Sequence, residues 1–282
     1  MLHVKVLALV ASHRRDGNTE ILVKEALMRA EELGASCEII RLTELKLAPC
    51  KACYACLFTE CKLEDDGEWL IGKLKEADAL LIGTPTYLLT VPGQLKLFFD
   101  RILSIYPRLS WTMGKPAAAI ATAGIPGWEA LVLPSVLAFL YGVGYRVVGK
   151  LLAYGRGPGE VLLDSRYMEE ARRLGEKLAK AAMGEEVELE KESWECPVCG
   201  CSLVKLTQNG AECPVCGSEL RLELSDRGYR VSCTGGGRFS EEKLAEHLEW
   251  LRGTVVEYME LRERIEELRA RYRSYTPYAK PR

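Results

Sequence analysis

Histidine is scarce in this chain: 282 residues contain three, His3, His13 and His247. None stands with a serine or cysteine as a base stands with its nucleophile, so hydrolase chemistry is not indicated. The carboxylates Asp65, Asp66, Asp100 and Asp164 are scattered and read as caps, turns or surface residues, not as an acid/base pair. Asparagine and glutamine total four, Asn18, Asn209, Gln94 and Gln208, a shortage of thermolabile amides that suits a protein working hot. Long apolar runs are missing as well. The longest, residues 131–141, is interrupted by Pro134 and Ser135 and falls short of the roughly 18 residues that span a bilayer. Neither sign of charge dominates, since 38 Lys and Arg face 40 Asp and Glu for a net −2, which excludes a polybasic binder of nucleic acid. The opening residues show no basic leader or cleavage site and read as a first strand, so a cytoplasmic protein is expected.

Cysteine, by contrast, is abundant, with 11 residues, eight of them in two tight groups. Such clustering indicates metal in place of disulfides. From residue 4 to 184, short aliphatic runs alternate with amphipathic stretches of 12 to 18 residues, the pattern of repeated βαβ units around a parallel sheet. Five strands are expected at 4–10, 36–42, 79–83, 117–122 and 146–152, with helices at 18–33, 68–77, 93–106, 128–141 and 165–183. Together they predict a doubly wound α/β domain over 1–183 with strand order 2-1-3-4-5. An acidic linker (184–193), a small β module (194–239) and a helical arm (240–282) follow. In the arm, Leu244, Leu251, Tyr258, Ile265 and Tyr272 recur every seven residues, joined by Leu248, Val255, Leu261 and Leu268. That stripe must bury itself against its own domain or a second subunit. The tail at 276–282 reads as frayed or extended.

After the first strand comes Ala11-Ser-His-Arg-Arg-Asp-Gly-Asn-Thr, leading into a helix. Hydroxyls, amides, backbone N–H groups and an arginine converge there on a helix N-terminus, a favourable seat for a phosphate dianion. The spacing matches neither the triphosphate nor the dinucleotide glycine pattern, so a mononucleotide fits best; the plain alternative is a capped turn. The third strand ends in Gly83-Thr-Pro-Thr-Tyr. In a 2-1-3-4-5 sheet the crevice at the ends of strands one and three is where flavin mononucleotide (FMN) binds in flavodoxin-like proteins. Pro85 and Tyr87 would form a flat wall there, Thr86 a polar contact, and Ala123 and Gly124 a close backbone approach.

Cys50, Cys53 and Cys56 are separated by two residues each, and Cys61 follows after four more. Three ligands at that spacing wrap one face of a cubane, as in the bacterial ferredoxin run; zinc or free thiols are the alternatives. Cys196, Cys199, Cys213 and Cys216 form two Cys-Pro-Val-Cys-Gly knuckles 13 residues apart, the pattern of a zinc ribbon, with rubredoxin-like iron as its redox alternative. Residues 184–239 carry ten acidic and six basic side chains, a balance that opposes nucleic acid and favours protein contact. Of the remaining cysteines, Cys37 reads as a small buried hydrophobe, Cys201 could compete as a ligand, and Cys233 is unassigned.

Four features in order resemble the iron-sulfur flavoproteins, the cluster-bearing branch of the NADPH-dependent FMN reductase-like flavodoxin-fold proteins. They are Ser12-x-Arg14-x-x-Gly17-Asn18-Thr19, the Gly83-Thr-Pro-Thr-Tyr loop, the helix Gln94-Leu-Lys-x-Phe-x-Asp-Arg and the compact cysteine cluster. The likeness covers residues 1–183, and the sequence departs from it where the family's usual Gly-Ser-Pro-Arg opening is Ala11-Ser-His-Arg. The resemblance implies bound FMN, with Ser12, Arg14, Asn18 and Thr19 on the phosphate and Pro85, Thr86, Tyr87, Ala123 and Gly124 near the ring. It also implies Cys61 as fourth ligand of a [4Fe-4S] cluster and assembly as a homo-oligomer, dimer or tetramer. The expectation is a redox flavoprotein passing electrons between cluster and FMN, with ferredoxin or NAD(P)H as partner and zinc in the ribbon. Its rivals are a cluster-free NAD(P)H-dependent FMN reductase and a redox-sensing adaptor that docks partners through the ribbon.

Overall fold

The structure, a computed structural model, describes residues 4–226 and 228–273, so His3 and the tail at 276–282 lie outside the described residues. Its N-terminal part comprises β1 (Lys5–Val10), α1 (Asn18–Glu32), β2 (Ser36–Arg41), α2 (Gly67–Glu76), β3 (Ala79–Pro85), α3 (Gly93–Phe99), α4 (Ile102–Ile105), β4 (Pro116–Ala123), α5 (Val132–Gly142), β5 (Arg146–Tyr154) and α6 (Ser165–Ala182). The five strands are parallel in the order β2-β1-β3-β4-β5, as the alternating pattern predicts. Strands β3 and β4 are buried on both faces, which is why their sequences are almost uninterrupted in apolar residues.

Side chains alternate across that sheet. Val6, Ala8 and Val10 pack under α1 and α6, while Leu7 and Leu9 face the core shared with α2, α3 and α5. On the second face β4 offers only Ala117, Ala119 and Ala121. Those small residues leave room for Phe98 and Phe99, whose rings lie 5.3 and 4.3 Å from Phe139. On the first face α6 approaches α1 at Gly175, where a Cβ would overlap the Ala26 carbonyl.

Two expected helices differ in detail. The one expected at 93–106 breaks after Phe99 and resumes as the single turn α4, because Arg101 between them turns its side chain into the protein. The one expected at 128–141 begins only at Val132, since the Leu131 N–H is held by the Leu89 carbonyl across the neighbouring loop.

Beyond α6 the acidic segment forms neither helix nor strand, yet it is fastened down: Leu189 is buried and Arg146 donates to the Val187 carbonyl at 2.6 Å. A separate antiparallel sheet follows, β6 (Lys205–Thr207), β7 (Gly210–Glu212), β8 (Ser218–Ser225) and β9 (Gly228–Gly236), in that spatial order. Its cysteine-bearing base joins the main core through Leu189, Val215, Leu220 and Val231. Lys150 on β5 binds both Glu195 and the Gly200 carbonyl, and Tyr141 on α5 stacks on Phe239 at 6.3 Å.

The last helix, α7 (Glu241–Arg269), is started by Ser240, whose hydroxyl accepts the Lys243 N–H at 3.3 Å. The heptad stripe is split. Leu244 and Leu251, with Leu248 and Val255 beside them, pack on Leu57, Tyr106 and Leu109 of the N-terminal part. Farther along, Tyr258, Leu261 and Leu268 are exposed.

Candidate functional site

The loop from β1 to α1 is built around a helix end without a side-chain cap. Gly17 is the N-cap residue of α1 and offers no capping group, so the N–H groups of Asn18, Thr19 and Glu20 face outward without intrahelical partners. Ser12 is buried, and its hydroxyl accepts the Arg14 N–H at 3.2 Å, fixing the turn. At Gly17 a Cβ would come within 2.9 Å of the Arg14 side chain, so the turn requires glycine. The Arg14 guanidinium is exposed and makes no ion pair among the described residues.

Asn18 and Thr19 contribute differently from expectation. The Asn18 amide donates to the carbonyls of Gly155 and Gly157 at 3.0 and 2.9 Å and accepts from the Val161 N–H. The Thr19 hydroxyl sits 2.6 Å from that of Thr122, both buried. Those side chains fasten α1 to β4 and to the loop after β5, leaving the backbone N–H groups of Asn18 and Thr19 at the open end of the helix. A residue that local sequence does not single out completes the turn: Arg41, at the end of β2, pairs with Glu20 and donates to the carbonyls of Ser12 and His13 at 3.1 and 3.3 Å. Its signal is only positional, a cation closing the strand beside the loop.

Across the rim, β3 and β4 end together, with Pro85 in register with Thr122. The Thr86 N–H donates to the Thr122 carbonyl at 2.7 Å, and the Thr86 hydroxyl is buried without a partner among the described residues. An orphaned buried hydroxyl at the switch point fits a polar ligand edge. Next to it Tyr87 is half-exposed, and Leu88 and Leu89 take left-handed φ values of 45° and 71°. The β4 loop, from Ala123 and Gly124 through Ile125 to Trp128, places further exposed apolar surface at the same rim. Ser12, Arg14, Gly17, Pro85, Thr86, Tyr87, Ala123 and Gly124 therefore all stand at the carboxyl ends of β1, β3 and β4.

The first cysteine group follows β2. Its segment leaves the rim at Glu44, which pairs with Arg15 at 2.5 Å, and then packs on α4 and α7. Cys50, Cys53, Cys56 and Cys61 line one cavity of ≈ 90 Å³ together with Leu103 and Ser104. Ala52 and Tyr54, between the cysteines, have left-handed φ of 48° and 58°, and the Ala52 N–H donates to Cys50 Sγ at 3.4 Å. Burial pushes the Cys56 thiol up, against a Ser104 hydrogen bond that favours the thiolate. Asp65, read from sequence as a cap, turn or surface residue, accepts the Gly67 N–H at 3.0 Å just before α2, whose N-cap is Asp66, and its side chain is buried against Arg101. The Gln94 amide meets His13 of the β1–α1 loop, whereas Arg101, beyond the far end of α3, meets Cys61 at 3.6 Å. Gln94 and Arg101 are seven positions apart, about 10 Å of helical rise.

The second group is different in kind. All four Sγ atoms of Cys196, Cys199, Cys213 and Cys216 lie within 4.8 Å of one another, and all four residues are buried. The pairs Cys196–Cys216 and Cys199–Cys213 are 3.6 and 3.5 Å apart. Thiolates about 2.3 Å from a tetrahedral zinc lie about 3.8 Å apart, so this donor set suits a single ion. Both knuckles turn on a glycine with φ +71°, Gly200 and Gly217. Cys201 stays outside the set, its sulfur accepting the Leu203 N–H. Among the described residues no other group of three or more metal-ligand side chains converges as closely; Cys50, Cys53, Cys56 and Cys61 surround a space instead of a point, as a polynuclear centre demands. Cys37 is partly buried, and burial pushes its thiol up to about 12.

Known proteins bear on this geometry. An iron-sulfur flavoprotein of Methanocaldococcus jannaschii is 32% identical over 188 residues, covering 63% of this chain and 96% of that one. An iron-sulfur flavoprotein of Archaeoglobus fulgidus is 31% identical over 181 residues, covering 63% and 80%. Among solved structures, a flavone reductase superposes with a TM-score of 0.80 at 19% identity over 99% of this chain and 100% of that one; the shared fold thus includes the antiparallel sheet and the arm. Residues 4–157 match the profile of the NADPH-dependent FMN reductase family. On that profile match and on the identity shared with these relatives, the chain belongs to the NADPH-dependent FMN reductase family, in its iron-sulfur flavoprotein branch.

Proposed function

We propose that the protein is an FMN-dependent oxidoreductase that holds FMN at the β1/β3 rim and a [4Fe-4S] cluster on Cys50, Cys53, Cys56 and Cys61. The observation that carries this reading is the pairing of an uncapped α1 N-terminus with a cavity enclosed by four cysteines, joined through α3. Arg14 and the N–H groups of residues 18–20 would hold the phosphate, with Ser12 and Gly17 fixing the turn and Asn18 and Thr19 acting through the backbone. Pro85 and Tyr87 would flank the ring, the Thr86 hydroxyl would meet its polar edge, and Ala123 and Gly124 would allow close approach. When bound, FMN exchanges one or two electrons and the cluster one, so the pair links hydride donors such as NAD(P)H to one-electron carriers such as ferredoxin. The side chains would hold the two groups and shield them; no general acid is required.

Zinc is the metal proposed for the second site, in a structural role, because the four sulfurs there are buried and fused to the main core. The same burial argues against a ribbon free to act as a docking adaptor. Exposed Tyr87, Leu88, Ile125 and Trp128 at the rim, and Tyr258, Leu261 and Leu268 on α7, support assembly with further copies of the chain. Absorption spectra of anaerobically purified protein, with iron, sulfide, zinc and FMN analysis, test all of this at once. About four iron and four sulfide per FMN support the reading. Iron- and sulfide-free protein that shows flavin absorption alone and oxidises NAD(P)H would favour the cluster-free reductase.

A further inference from the structure

Arg101 is among the largest fully buried side chains of the protein. An arginine in that position persists only where its charge is matched, and the nearest match is Asp65, 2.5 Å away and equally buried. Asp65 is itself heavily engaged. One oxygen also accepts the Gly67 N–H at 3.0 Å, and the other accepts the Ala48 N–H at 2.7 Å. Ala48 precedes Cys50 and Gly67 follows Cys61, so a single carboxylate closes the neck of the cysteine segment.

The guanidinium does more than neutralise that carboxylate. While Nη2 faces Asp65, Nη1 points to Cys61 Sγ at 3.6 Å. A second feature of the sequence makes room for it: at Gly67 a Cβ would overlap Arg101 Nη2 and come within 2.9 Å of Asp65 Oδ1. Gly67 has no left-handed φ, so glycine there serves the space and not the backbone.

Resting on the cluster reading above, we infer that Arg101, held by Asp65 and admitted by Gly67, is a positioning residue for the N-terminal cysteine site. It orients Cys61 as a ligand and sets the potential of the group bound there. A charged donor aimed at a ligand sulfur withdraws electron density from it and stabilises the more negative, reduced state, which raises the potential.

The test compares wild type with Arg101→Gln, Arg101→Lys and Gly67→Ala, all made anaerobically. The readouts are iron and sulfide content, with an EPR-monitored redox titration of the cluster. FMN content serves as the check on folding. Arg101→Gln and Gly67→Ala should lower the ratio of reduced to oxidised cluster at a fixed poise about tenfold, a shift of about 59 mV for a one-electron couple. The flavin potential should stay unchanged, and Arg101→Lys should recover most of the shift. Loss of iron from Arg101→Gln with FMN retained also supports the inference. Cluster-loaded variants with the wild-type potential overturn it. Wild-type protein without iron and sulfide overturns the cluster reading itself, and this inference with it. Should the variants fail to fold, pulsed EPR of reduced wild type labelled with ¹⁵N-arginine decides the matter: a guanidinium nitrogen coupling is expected, and its absence refutes the contact.

Discussion

The inner half of α7 braces the cysteine segment, and Leu251→Ala should release it. Leu251 is 7% exposed and packs with Leu244 against Leu57, one residue beyond Cys56. Arg252 adds two contacts to the Leu57 carbonyl, from Nε and Nη2, each at 3.4 Å. Removing a buried leucine side chain costs roughly 2–5 kcal/mol. Since each 1.4 kcal/mol is a factor of ten, even the lower figure raises the detached population of the arm about 30-fold. Two stretches should respond together: the α7 amides of residues 244–255, and the N–H groups of Leu57, Phe58 and Thr59, which close short turns onto Tyr54 and Ala55. Hydrogen–deuterium exchange read by mass spectrometry reports both. Exchange in the central strands should stay at the wild-type rate, because β3 and β4 are buried in the main sheet. Faster exchange in α7 with none in residues 57–59 would refute the idea that the arm braces the cysteines.

Arg14→Ala should weaken FMN binding about tenfold or more, the loss of one charge-assisted contact worth about 1.5–3 kcal/mol, measured by flavin fluorescence quenching; unchanged affinity would remove Arg14 from the phosphate seat. Cys199→Ser should lower the zinc content and the thermal midpoint of the whole chain, because the knuckle sulfurs share the core with α5 and β5. A separate low-temperature transition, with the main one unmoved, would show the ribbon to be independent. Glu176 is held down to about 2 by Lys180 and then Arg29, so its contribution to stability is full above about pH 4.5 and is lost as pH falls toward 2. The melting-temperature gap between wild type and Glu176→Gln should therefore close across that window, and a gap that persists at pH 2 would refute the assignment.

How far the sequence speaks depends on where each partner sits. The runs at β3 and β4 are readable because burial on both faces leaves no position for a polar residue. The knuckles are readable because four thiols brought to one point and two left-handed glycines impose a local pattern. The break between α3 and α4 is not, since Arg101 is drawn inward by Asp65, 36 residues earlier. Asn18 shows the same limit: its position suggests an anion contact, but its amide is captured by carbonyls 137 and 139 residues away. The heptad stripe of α7 is visible throughout, whereas its division into a packed half and an exposed half follows from where the N-terminal part ends beneath it.

The two sets of thiols differ most in their access to the outside. Cys53 is exposed and its three companions are only partly covered, while Cys196, Cys199, Cys213 and Cys216 are sealed in. A dissolved oxidant or alkylating agent therefore meets the first set long before the second. Injury should fall first on the exposed sulfur of Cys53 and its half-covered companions, while the sulfurs buried where the antiparallel sheet joins the main core stay intact.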